Sequence, residues 1–377
     1  MTTPLAIDLI AAARPNFMKI APLYHALAAQ TWCRPRIVHT GQHYDANMSD
    51  AFFEDLQMPA PHLHLGVGSG GHGEQTARVM IEYEKACLAS RPDWTVVVGD
   101  VNSTLACALV GAKLLIPVAH LEAGLRSGDR TMPEEINRIV TDSISDLLWT
   151  PSPDGDENLR KEGVPAAKIE QVGNIMLDSF ELLAPKIRAA DGAGKLGLAK
   201  SSYGVVTLHR PSNVDNRAQL QLIVTQLLAM AEQLPLVFPV HPRTRQRLQD
   251  FGLAGRLEGC SAIHMTEPLS YIEFMSLVID CRLALTDSGG VQEETSYLGI
   301  PCLTLRENTE RPITVTLGTN RLVKAASVNE DIERVLREPP RTPCTIPLWD
   351  GQTAGRVVAS LKRHAAQRSS RRAISSA

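Results

Sequence analysis

Polar and ionisable residues end most apolar runs of this sequence, and the carboxylates among them could do acid–base chemistry. Asp100 ends "TVVVGD", Glu122 follows "IPVAHL", and Glu134 follows Pro133 at the start of a helical pattern. A carboxyl group serves as a general acid or base when burial or a neighbouring like charge raises its pKa. The structural alternatives are a helix N-cap for Asp100 and a helix-terminal charge for Glu134.

Cationic and imidazole side chains form a second group at the ends of apolar runs. Arg14 and Lys19 stand five positions apart in "RPNFMK", and His209 and Arg210 end "VVTLHR". Such groups bind a diphosphate, and an imidazole could stabilise a departing phosphate oxygen. A solvated helix start is the alternative for the first two. For His241 in "FPVHP", a structural role is as open as a functional one.

The stretch "TDSGGVQEE", residues 286–294, suggests a ligand seat. Gly289 and Gly290 permit close backbone approach at a helix start, where free N–H groups and the dipole favour an anion such as phosphate. Ser288 could donate to a phosphate oxygen or only cap the helix, and Glu294 could accept both hydroxyls of a ribose. The GxSxG and GxGxxG patterns are absent, so neither a nucleophilic serine nor a nicotinamide cofactor is indicated.

These residues fall where two successive α/β patterns place them. Short β-branched runs alternate with helical segments, which is typical of a parallel sheet covered by helices on both faces. The pattern restarts at "YGVVTLHR" and predicts two Rossmann-like domains, residues 1–173 and 174–377, with the last helix packing back on the first domain and a disordered basic tail. Ligands bind outside the carboxyl ends of such strands. If the two sheets face one another, the polar groups converge in one central cleft.

Composition excludes several classes of function. A chain of 377 residues is long enough for two domains, and its net charge of -3 gives no global attraction to nucleic acid or anionic membrane. No stretch approaches the ~20 apolar residues of a membrane span. The seven cysteines are scattered and no basic region precedes the first apolar run, so we expect a cytoplasmic protein with reduced thiols. No HExxH or carboxylate triplet at ligand spacing indicates a metal.

Several motifs together resemble those of the non-hydrolysing UDP-N-acetylglucosamine 2-epimerases. They are "RPNFMKIAP", "TGQHYD", "VVGDVNSTLA", "HLEAGLRS", "MPEEINR", "TDSGGVQEE" and "RENTERP", and the similarity runs from about Ile7 to Gly351. The resemblance implies the two-domain glycosyltransferase-B architecture and a cytoplasmic homodimer that needs no cofactor. It also implies the reaction. UDP is expelled by anti elimination, a 2-acetamidoglucal forms, and UDP returns by syn addition, which supplies envelope or capsular polysaccharide synthesis.

The resemblance also assigns roles to residues. Carried over by motif are Arg14, Lys19, Asp100, Glu122, Glu134 and His209 near the sugar and diphosphate, then Ser288, Gly289, Gly290 and Glu294 at the phosphate and ribose, and Arg210, His241, Phe274 and Arg311 as further UDP contacts. A regulatory site for a second UDP-sugar would use Gln42, His43 and Arg78. Asp45, however, stands where regulated family members have a second glutamine, and Asn16 replaces the family's glutamate.

The substrate is expected to be a UDP-2-acetamido sugar, with UDP-N-acetylglucosamine first. "RSGDRTMPEEINR" also occurs in relatives that act on related sugars such as 2,3-diacetamido uronates. A hydrolysing epimerase or a glycosyltransferase of the same fold would also be compatible with the two α/β patterns. Three carboxylates in the first half favour an epimerase over a transferase, because a transferase usually needs one base.

Overall fold

The computed structural model describes residues 3–41 and 53–375, except the side chains of Arg14 and of residues 369–375. Gln42 and His43 therefore lie outside the described residues. The chain divides into two compact units, unit 1 (Met1–Leu182 with Pro347–Ala377) and unit 2 (Leu183–Ile346). The sequence predicts a limit between residues 173 and 174, whereas this division falls inside a continuous helix, α6 (Ile175–Ala190).

Unit 1 contains a parallel sheet with the strand order β3-β2-β1-β4-β5-β6-β7 among the described residues. The strands are β1 (Leu5–Ala11), β2 (Cys33–His39), β3 (Leu63–His64), β4 (Trp94–Val98), β5 (Val118–Leu121), β6 (Leu147–Thr150) and β7 (Ile169–Gln171). The helices around it are α1 (Arg14–Ala28), α2 (His72–Ala89), α3 (Asn102–Lys113), α4 (Pro133–Ile144), α5 (Pro153–Lys161) and the C-terminal α16 (Thr353–Ser375).

The central strands of unit 1 are apolar throughout because helices cover them. Every residue of β4 is buried. On one face, Val97 of β4 packs with Val79 of α2 and Val110 of α3. The order of strands reverses between β1 and β4, so polar residues after these strands lie at the switch point where ligands bind in such folds.

The C-terminal helix belongs to unit 1. Asp178 of α6 accepts hydrogen bonds from the backbone N–H groups of Thr353, at 3.0 Å, and Ala354, at 2.7 Å, which satisfies the start of α16. Farther along, the buried Trp149 of β6 donates to Ser360 at 2.9 Å. The sequence predicts a disordered basic tail beyond this helix, but the helix runs to Ser375.

Unit 2 repeats the architecture with a parallel sheet in the described order β10-β9-β8-β11-β12-β13. Its strands are β8 (Gly204–Thr207), β9 (Leu236–Pro239), β10 (Ile263–Thr266), β11 (Leu283–Thr286), β12 (Cys302–Thr304) and β13 (Asn320–Leu322). Its helices are α7 (Gly192–Lys195), α8 (Pro211–Val214), α9 (Arg217–Ala231), α10 (Pro242–Asp250), α11 (Ala254–Glu258), α12 (Tyr271–Val278), α13 (Gly289–Leu298), α14 (Ile313–Thr316) and α15 (Val328–Arg337).

The predicted class, two α/β domains with parallel sheets, is confirmed. In unit 2 the strand order reverses between β8 and β11, and the two predicted motifs "LHR" and "DSGG" follow these strands directly. Within the described part of the chain, no helix combines the length and apolar character needed to cross a membrane. All seven cysteines are free thiols.

Candidate active site

In unit 1 an ion pair joins α1 to the turn after β5. Lys19 of α1 donates from Nζ to Oε2 of Glu122 at 2.5 Å, and both side chains are largely shielded from solvent. The second oxygen of Glu122, Oε1, is buried and has no hydrogen-bond partner among the described residues. A buried carboxylate oxygen without a donor is costly unless a ligand completes it, so Glu122 presents an acceptor for a proton or a substrate hydroxyl.

The backbone around this pair is specialised. Glu122 has φ 71°, in the left-handed region that costs a non-glycine residue about 1–3 kcal/mol. Gly99, at the end of β4, has φ 70°, and a Cβ there would lie 3.1 Å from Nζ of Lys19. Both positions are held by surrounding structure, which is typical of a site where placement matters more than local stability.

Asp100 directly follows Gly99, which lies against this pair, and is held by α4. The buried Arg138 donates from Nη1 to Oδ2 of Asp100, and its Nε and Nη2 donate to Glu135 at 3.0 and 2.7 Å. Asn137 donates from Nδ2 to the carbonyl oxygen of Asp100 at 2.9 Å. The N-cap of α3 is Val101, so the structural alternative for Asp100, a helix cap, is wrong.

The adjacent glutamates of "MPEEINR" have separate environments. Glu135 is buried and accepts from the backbone N–H groups of Ser127, at 3.0 Å, and Gly128, at 2.9 Å. Burial acts to raise the pKa of Glu135, but these donors and Arg138 outweigh it and lower the pKa. Glu134, in the first turn of α4, is partly buried and has no hydrogen-bond or ion-pair partner in the described part of the chain. Of the two, Glu134 is the one left for chemistry.

Asn16, which stands where the resembling family has a glutamate, makes two hydrogen bonds within unit 1. Its Oδ1 accepts from the backbone N–H of Ala13 at 3.1 Å, and its Nδ2 donates to the carbonyl oxygen of Val98 at 3.1 Å. The amide therefore joins the start of α1 to the end of β4. Arg14 begins α1, and its side chain lies outside the described part of the structure.

In unit 2 the central feature is a histidine held by a buried aspartate. Nδ1 of His209 lies 3.0 Å from Oδ1 of Asp287, whose side chain is 0% exposed while that of His209 is 38% exposed. Asp287 also accepts from the backbone N–H of Arg210 at 2.9 Å and from Nδ2 of Asn213 at 3.0 Å. Burial acts to raise the pKa of Asp287, but His209 and Asn213 outweigh it and the pKa is lowered. Nδ1–H of His209 thus donates to a carboxylate, and no described residue partners Nε2.

The start of α13 is open in the way an anion site requires. Ser288 is the N-cap, but its side chain makes no capping hydrogen bond, so the structure does not support a cap alone. A Cβ on Gly290 would meet nothing within 4 Å, whereas one on Gly289 would lie 2.7 Å from Nη1 of Arg311 and 2.8 Å from Oε1 of Glu310. The helix start therefore faces free space on one side and a charged cluster on the other.

That cluster supplies the cations beside the helix start. Arg311 pairs with Oε1 of Glu293 and with Oε1 of Glu310, each at 2.7 Å. Arg306 pairs with the other oxygen of Glu310 at 2.8 Å. Burial acts to raise the pKa of Glu310, but Arg311 and Arg306 outweigh it and lower the pKa to about 2. Glu310 therefore stays ionised and holds the two guanidinium groups close to the helix dipole.

Four further predicted residues lie in unit 2 or on α2 of unit 1. Glu294 is buried, and burial, followed by the charge of Glu293, raises its pKa to about 8. His241 is the N-cap of α10, with its ring centroid 5.5 Å from that of His209. Phe274 is partly buried in α12. Arg78 is exposed and pairs with Glu74 within α2.

Sequence reasoning missed the residues that hold the predicted ones. Arg138 and Asn137 fix Asp100, and Arg306 with Glu310 orders the cations near α13. Asp287 stands at a predicted strand end, but the sequence did not predict that it orients His209. A signal for Arg138 was present, because Glu135 and Arg138 are three apart on one helix face. Arg306 falls within the motif "RENTERP", four residues before Glu310, but this segment is a loop, so the spacing does not mark a helix face.

Known proteins of one enzyme family resemble this chain over most of its length. The family model described as UDP-N-acetylglucosamine 2-epimerase matches residues 25–362. The chain is 45% identical over 324 residues to a UDP-N-acetylglucosamine 2-epimerase of Methanocaldococcus jannaschii, covering 85% of this chain and 88% of the relative. It is 43% identical to a UDP-2,3-diacetamido-2,3-dideoxy-D-glucuronate 2-epimerase of Pseudomonas aeruginosa, covering 84% and 88%. A crystal structure of the M. jannaschii enzyme in complex with UDP-GlcNAc and UDP has a TM-score of 0.83 at 40% identity, covering 95% of this chain and 100% of that one.

Proposed function

Because the chain belongs to the UDP-N-acetylglucosamine 2-epimerase family, we propose that it interconverts UDP-N-acetylglucosamine and UDP-N-acetylmannosamine by inverting C2 of the sugar. The observation that carries this proposal is the carboxylate of Glu122. One of its oxygens accepts from Lys19, the other is buried without a partner among the described residues, and the residue directly before Asp100, Gly99, lies against this pair. An inversion through a planar carbon needs one group to take a proton and another to return it on the opposite face.

The proposed reaction balances without redox chemistry. A carboxylate takes the proton from C2, the C1–O bond breaks, and its electron pair stays on the diphosphate oxygen of UDP. The 2-acetamidoglucal then receives a proton at C2 and UDP at C1. Glu122 is best placed to accept a proton, and Asp100 and Glu134 share its return and the orientation of the sugar.

Unit 2 holds UDP in this proposal, including during the interval when UDP is detached. The N–H groups at the start of α13 and Ser288 bind phosphate, with Arg311 as a neighbouring cation. His209 directs Nε2 to the leaving oxygen, because Asp287 occupies Nδ1. Glu294 accepts the ribose hydroxyls. These contacts stabilise charge that develops on UDP as the bond breaks.

A second candidate substrate is UDP-2,3-diacetamido-2,3-dideoxy-D-glucuronate. The similarity to the P. aeruginosa enzyme with that name is 43%, close to the 45% for the M. jannaschii relative. Overall identity therefore does not separate the two sugars. Both carry the 2-acetamido group and the UDP leaving group on which the proposed chemistry acts.

NMR in D2O tests the proposal directly. We expect deuterium at C2 and a UDP-N-acetylmannosamine signal when the protein is incubated with UDP-N-acetylglucosamine, without net release of UDP. Exchange only with the diacetamido uronate would favour the second candidate. Free N-acetylmannosamine as the main product would indicate a hydrolysing enzyme. Absence of C2 exchange with both sugars would refute an epimerase.

We further propose that the protein works as a homodimer in the cytoplasm, where it supplies envelope or capsular polysaccharide synthesis. Free thiols at all seven cysteines support a reducing compartment. On unit 1, Ile81 and Leu88 of α2 are 53% and 71% exposed, and Leu115 is 77% exposed just after α3. Arg91, which donates to Leu114 at 2.6 Å, joins the ends of the two helices. This apolar face is suited to a second copy of the chain.

Light scattering after size exclusion tests the dimer. The wild type should have twice the mass of one chain, and Leu88→Glu should shift it to the monomer. Val315→Glu, at an exposed apolar residue of unit 2, is the matched control and should leave the mass unchanged. A monomeric wild type, or a dimer insensitive to Leu88→Glu, would contradict this interface.

A further inference from the structure

Unit 1 contains a histidine that cannot reach a ligand yet lies between two residues of the candidate site. His120, on β5, is 0% exposed in its side chain, and its partner Asp142 of α4 is 1% exposed. Nδ1 lies 2.6 Å from Oδ1 of Asp142, and Nε2 lies 2.8 Å from the carbonyl oxygen of Gly99. Both ring nitrogens are therefore occupied.

The partners of this ring define its protonation. A carbonyl oxygen only accepts, so Nε2 must carry a hydrogen. The second oxygen of Asp142 accepts from the backbone N–H of Gly124 at 3.1 Å and pairs with Nη2 of Arg126 at 2.8 Å. Both oxygens of Asp142 are therefore engaged, one by the ring and the other by Gly124 and Arg126. The ring is held at both nitrogens by groups of unit 1 and is shielded from solvent.

The two partners of the ring lie in segments that carry proposed catalytic groups. Gly99 precedes Asp100, and its positive φ brings the turn close to Lys19 and Glu122. Gly124, bound to the far side of Asp142, follows Glu122 by two residues and also has a positive φ. The ring therefore links the turn after β4 to the turn after β5.

We infer that His120 and Asp142 form a positioning pair that sets the distance between Asp100 and Glu122. The pair touches neither substrate nor UDP. It fixes the peptide that leads into Asp100 and the loop that begins with Glu122, so that two carboxylates reach one carbon from different strands. A misplacement of about 1 Å in such a site can cost about 100-fold in rate.

This inference rests on the proposed function, and it predicts a loss of turnover without a loss of substrate affinity when the pair is broken. His120→Phe keeps a planar buried ring but removes both hydrogen bonds. We expect kcat to fall about 100-fold, by the same positioning argument, with the KM for the UDP-sugar nearly unchanged. In D2O, the ratio of deuterium in recovered starting sugar to deuterium in product, the exchange ratio, should rise. Free 2-acetamidoglucal should also accumulate, because the group that removes the proton and the group that returns it no longer lie at the correct separation.

Two further variants separate positioning from stability. His120→Gln restores a donor near the place of Nε2, so it should recover about tenfold of the lost kcat. Tyr83→Phe removes an equally buried pair of hydrogen bonds in unit 1, from Tyr83 to Asp8 and Thr95, away from the site. It should lower Tm while kcat and the exchange ratio stay at wild-type values.

A readout independent of turnover completes the test. With 15N-labelled histidine, the ring signal that disappears in His120→Gln belongs to His120, and in the wild type its Nε2 should carry a proton that exchanges slowly with solvent, because the ring is buried and donates to Gly99. An Nε2 without a bonded proton, or one that exchanges rapidly, would overturn the inference even in a protein without epimerase activity. A folded His120→Phe that keeps wild-type kcat and exchange ratio would overturn it too, whereas an inactive wild type would count against the proposed function alone.

Discussion

In each unit a buried aspartate pairs with a histidine near the ends of the central strands, but the pairs differ in what the second ring nitrogen meets. In unit 1 that nitrogen of His120 faces the carbonyl oxygen of Gly99, and the ring is fully buried. In unit 2 no described residue meets Nε2 of His209, and the ring is 38% exposed. The same two residue types therefore place backbone segments in one unit and present a donor to a ligand in the other.

The charged residues around the two histidine–aspartate pairs also differ between the units. Unit 1 gathers carboxylates, and Glu122 keeps one oxygen without a donor among the described residues. Unit 2 gathers guanidinium groups, with Arg306 and Arg311 held by Glu310 at the start of α13. Similar sheets thus carry opposite chemistry, acid–base groups in unit 1 and an anion seat in unit 2. Substitutions in one unit should therefore disturb its chemistry while leaving that of the other unit largely intact.

The largest effect should come from Glu122→Gln. The amide can still accept from Lys19, but it cannot take a proton, so kcat should fall about 1,000-fold while the UDP affinity changes less than about twofold. Steady-state kinetics and calorimetric titration with UDP measure the two quantities. Glu157→Gln, at an exposed glutamate that pairs with Lys161, is the control and should be silent. A loss of UDP affinity equal to the loss of kcat would remove the division between units.

Asp287→Asn should have the next largest effect and tests the pair of unit 2. Asp287 accepts from backbone and side-chain donors with both oxygens, and an asparagine must turn an N–H group toward one of them. His209 then loses its orientation, and kcat should fall about 100-fold. UDP binding should weaken as well, because the loop after β8 is displaced.

Asp287→Asn and His120→Phe should affect different steps of the reaction. Asp287→Asn should slow the release and return of UDP without changing how deuterium is divided between starting sugar and product. His120→Phe should change that division. Asp250→Asn, at the end of α10, is the control for an aspartate of unit 2. Identical exchange ratios in the two variants would show that both pairs have the same role.

The two glycines of α13 offer a smaller and cleaner test of the anion seat. A Cβ on Gly290 meets no atom of the folded chain, so Gly290→Ala should leave Tm unchanged or raise it slightly. If UDP occupies that space, its affinity should fall about tenfold. Gly289→Ala should lower both Tm and affinity, because its Cβ would press on Arg311 and Glu310. Full UDP affinity in Gly290→Ala would place the ligand elsewhere.

Much of the fold follows from the sequence, since continuous apolar runs such as "WTVVV" predict buried parallel strands and their ends predict the site. Asp100, Glu122 and His209 could be named because each follows such a run. Their partners could not. Arg138 reaches Asp100 from a helix that begins far along the chain, and its i+3 spacing to Glu135 is common on any helix surface.

Burial at a strand also hides function from the sequence. His120 lies within "PVAHLEAG", where a single polar residue in an apolar strand indicates only that it must be hydrogen-bonded. Its role depends on Asp142, about two turns beyond Glu135 on α4, and on a carbonyl oxygen that has no sequence signature. The tertiary arrangement, and not the residue type, separates it from His209.

Substituting the buried glutamates should give the smallest effect, a change in how the free energy of unfolding depends on pH. Glu135 of unit 1 accepts four hydrogen bonds from backbone and Arg138, and its pKa is lowered. Burial raises the pKa of Glu294 in unit 2 to about 8, well above the usual value of 4.5. Glu294 therefore favours folding in its protonated form. That contribution is fully present below pH 4.5 and is lost as the pH rises through about 8.

Glu294→Gln removes this titration. Between about pH 5 and 8, the free energy of unfolding of the wild type should fall relative to the variant by up to about 1.4 kcal/mol per pH unit, measured by urea denaturation. At pH 7 the UDP affinity should change by about threefold or less, since the carboxyl is mostly neutral there and an amide oxygen still accepts from ribose. Glu135→Gln should show no such relative gain at alkaline pH, because it removes an ionised carboxylate that its donors stabilise. If the free energy of unfolding varied with pH in the same way in both variants, the pKa values of Glu135 and Glu294 would not be shifted in opposite directions. Glu294 would then not be a neutral acid beside the anion site of unit 2.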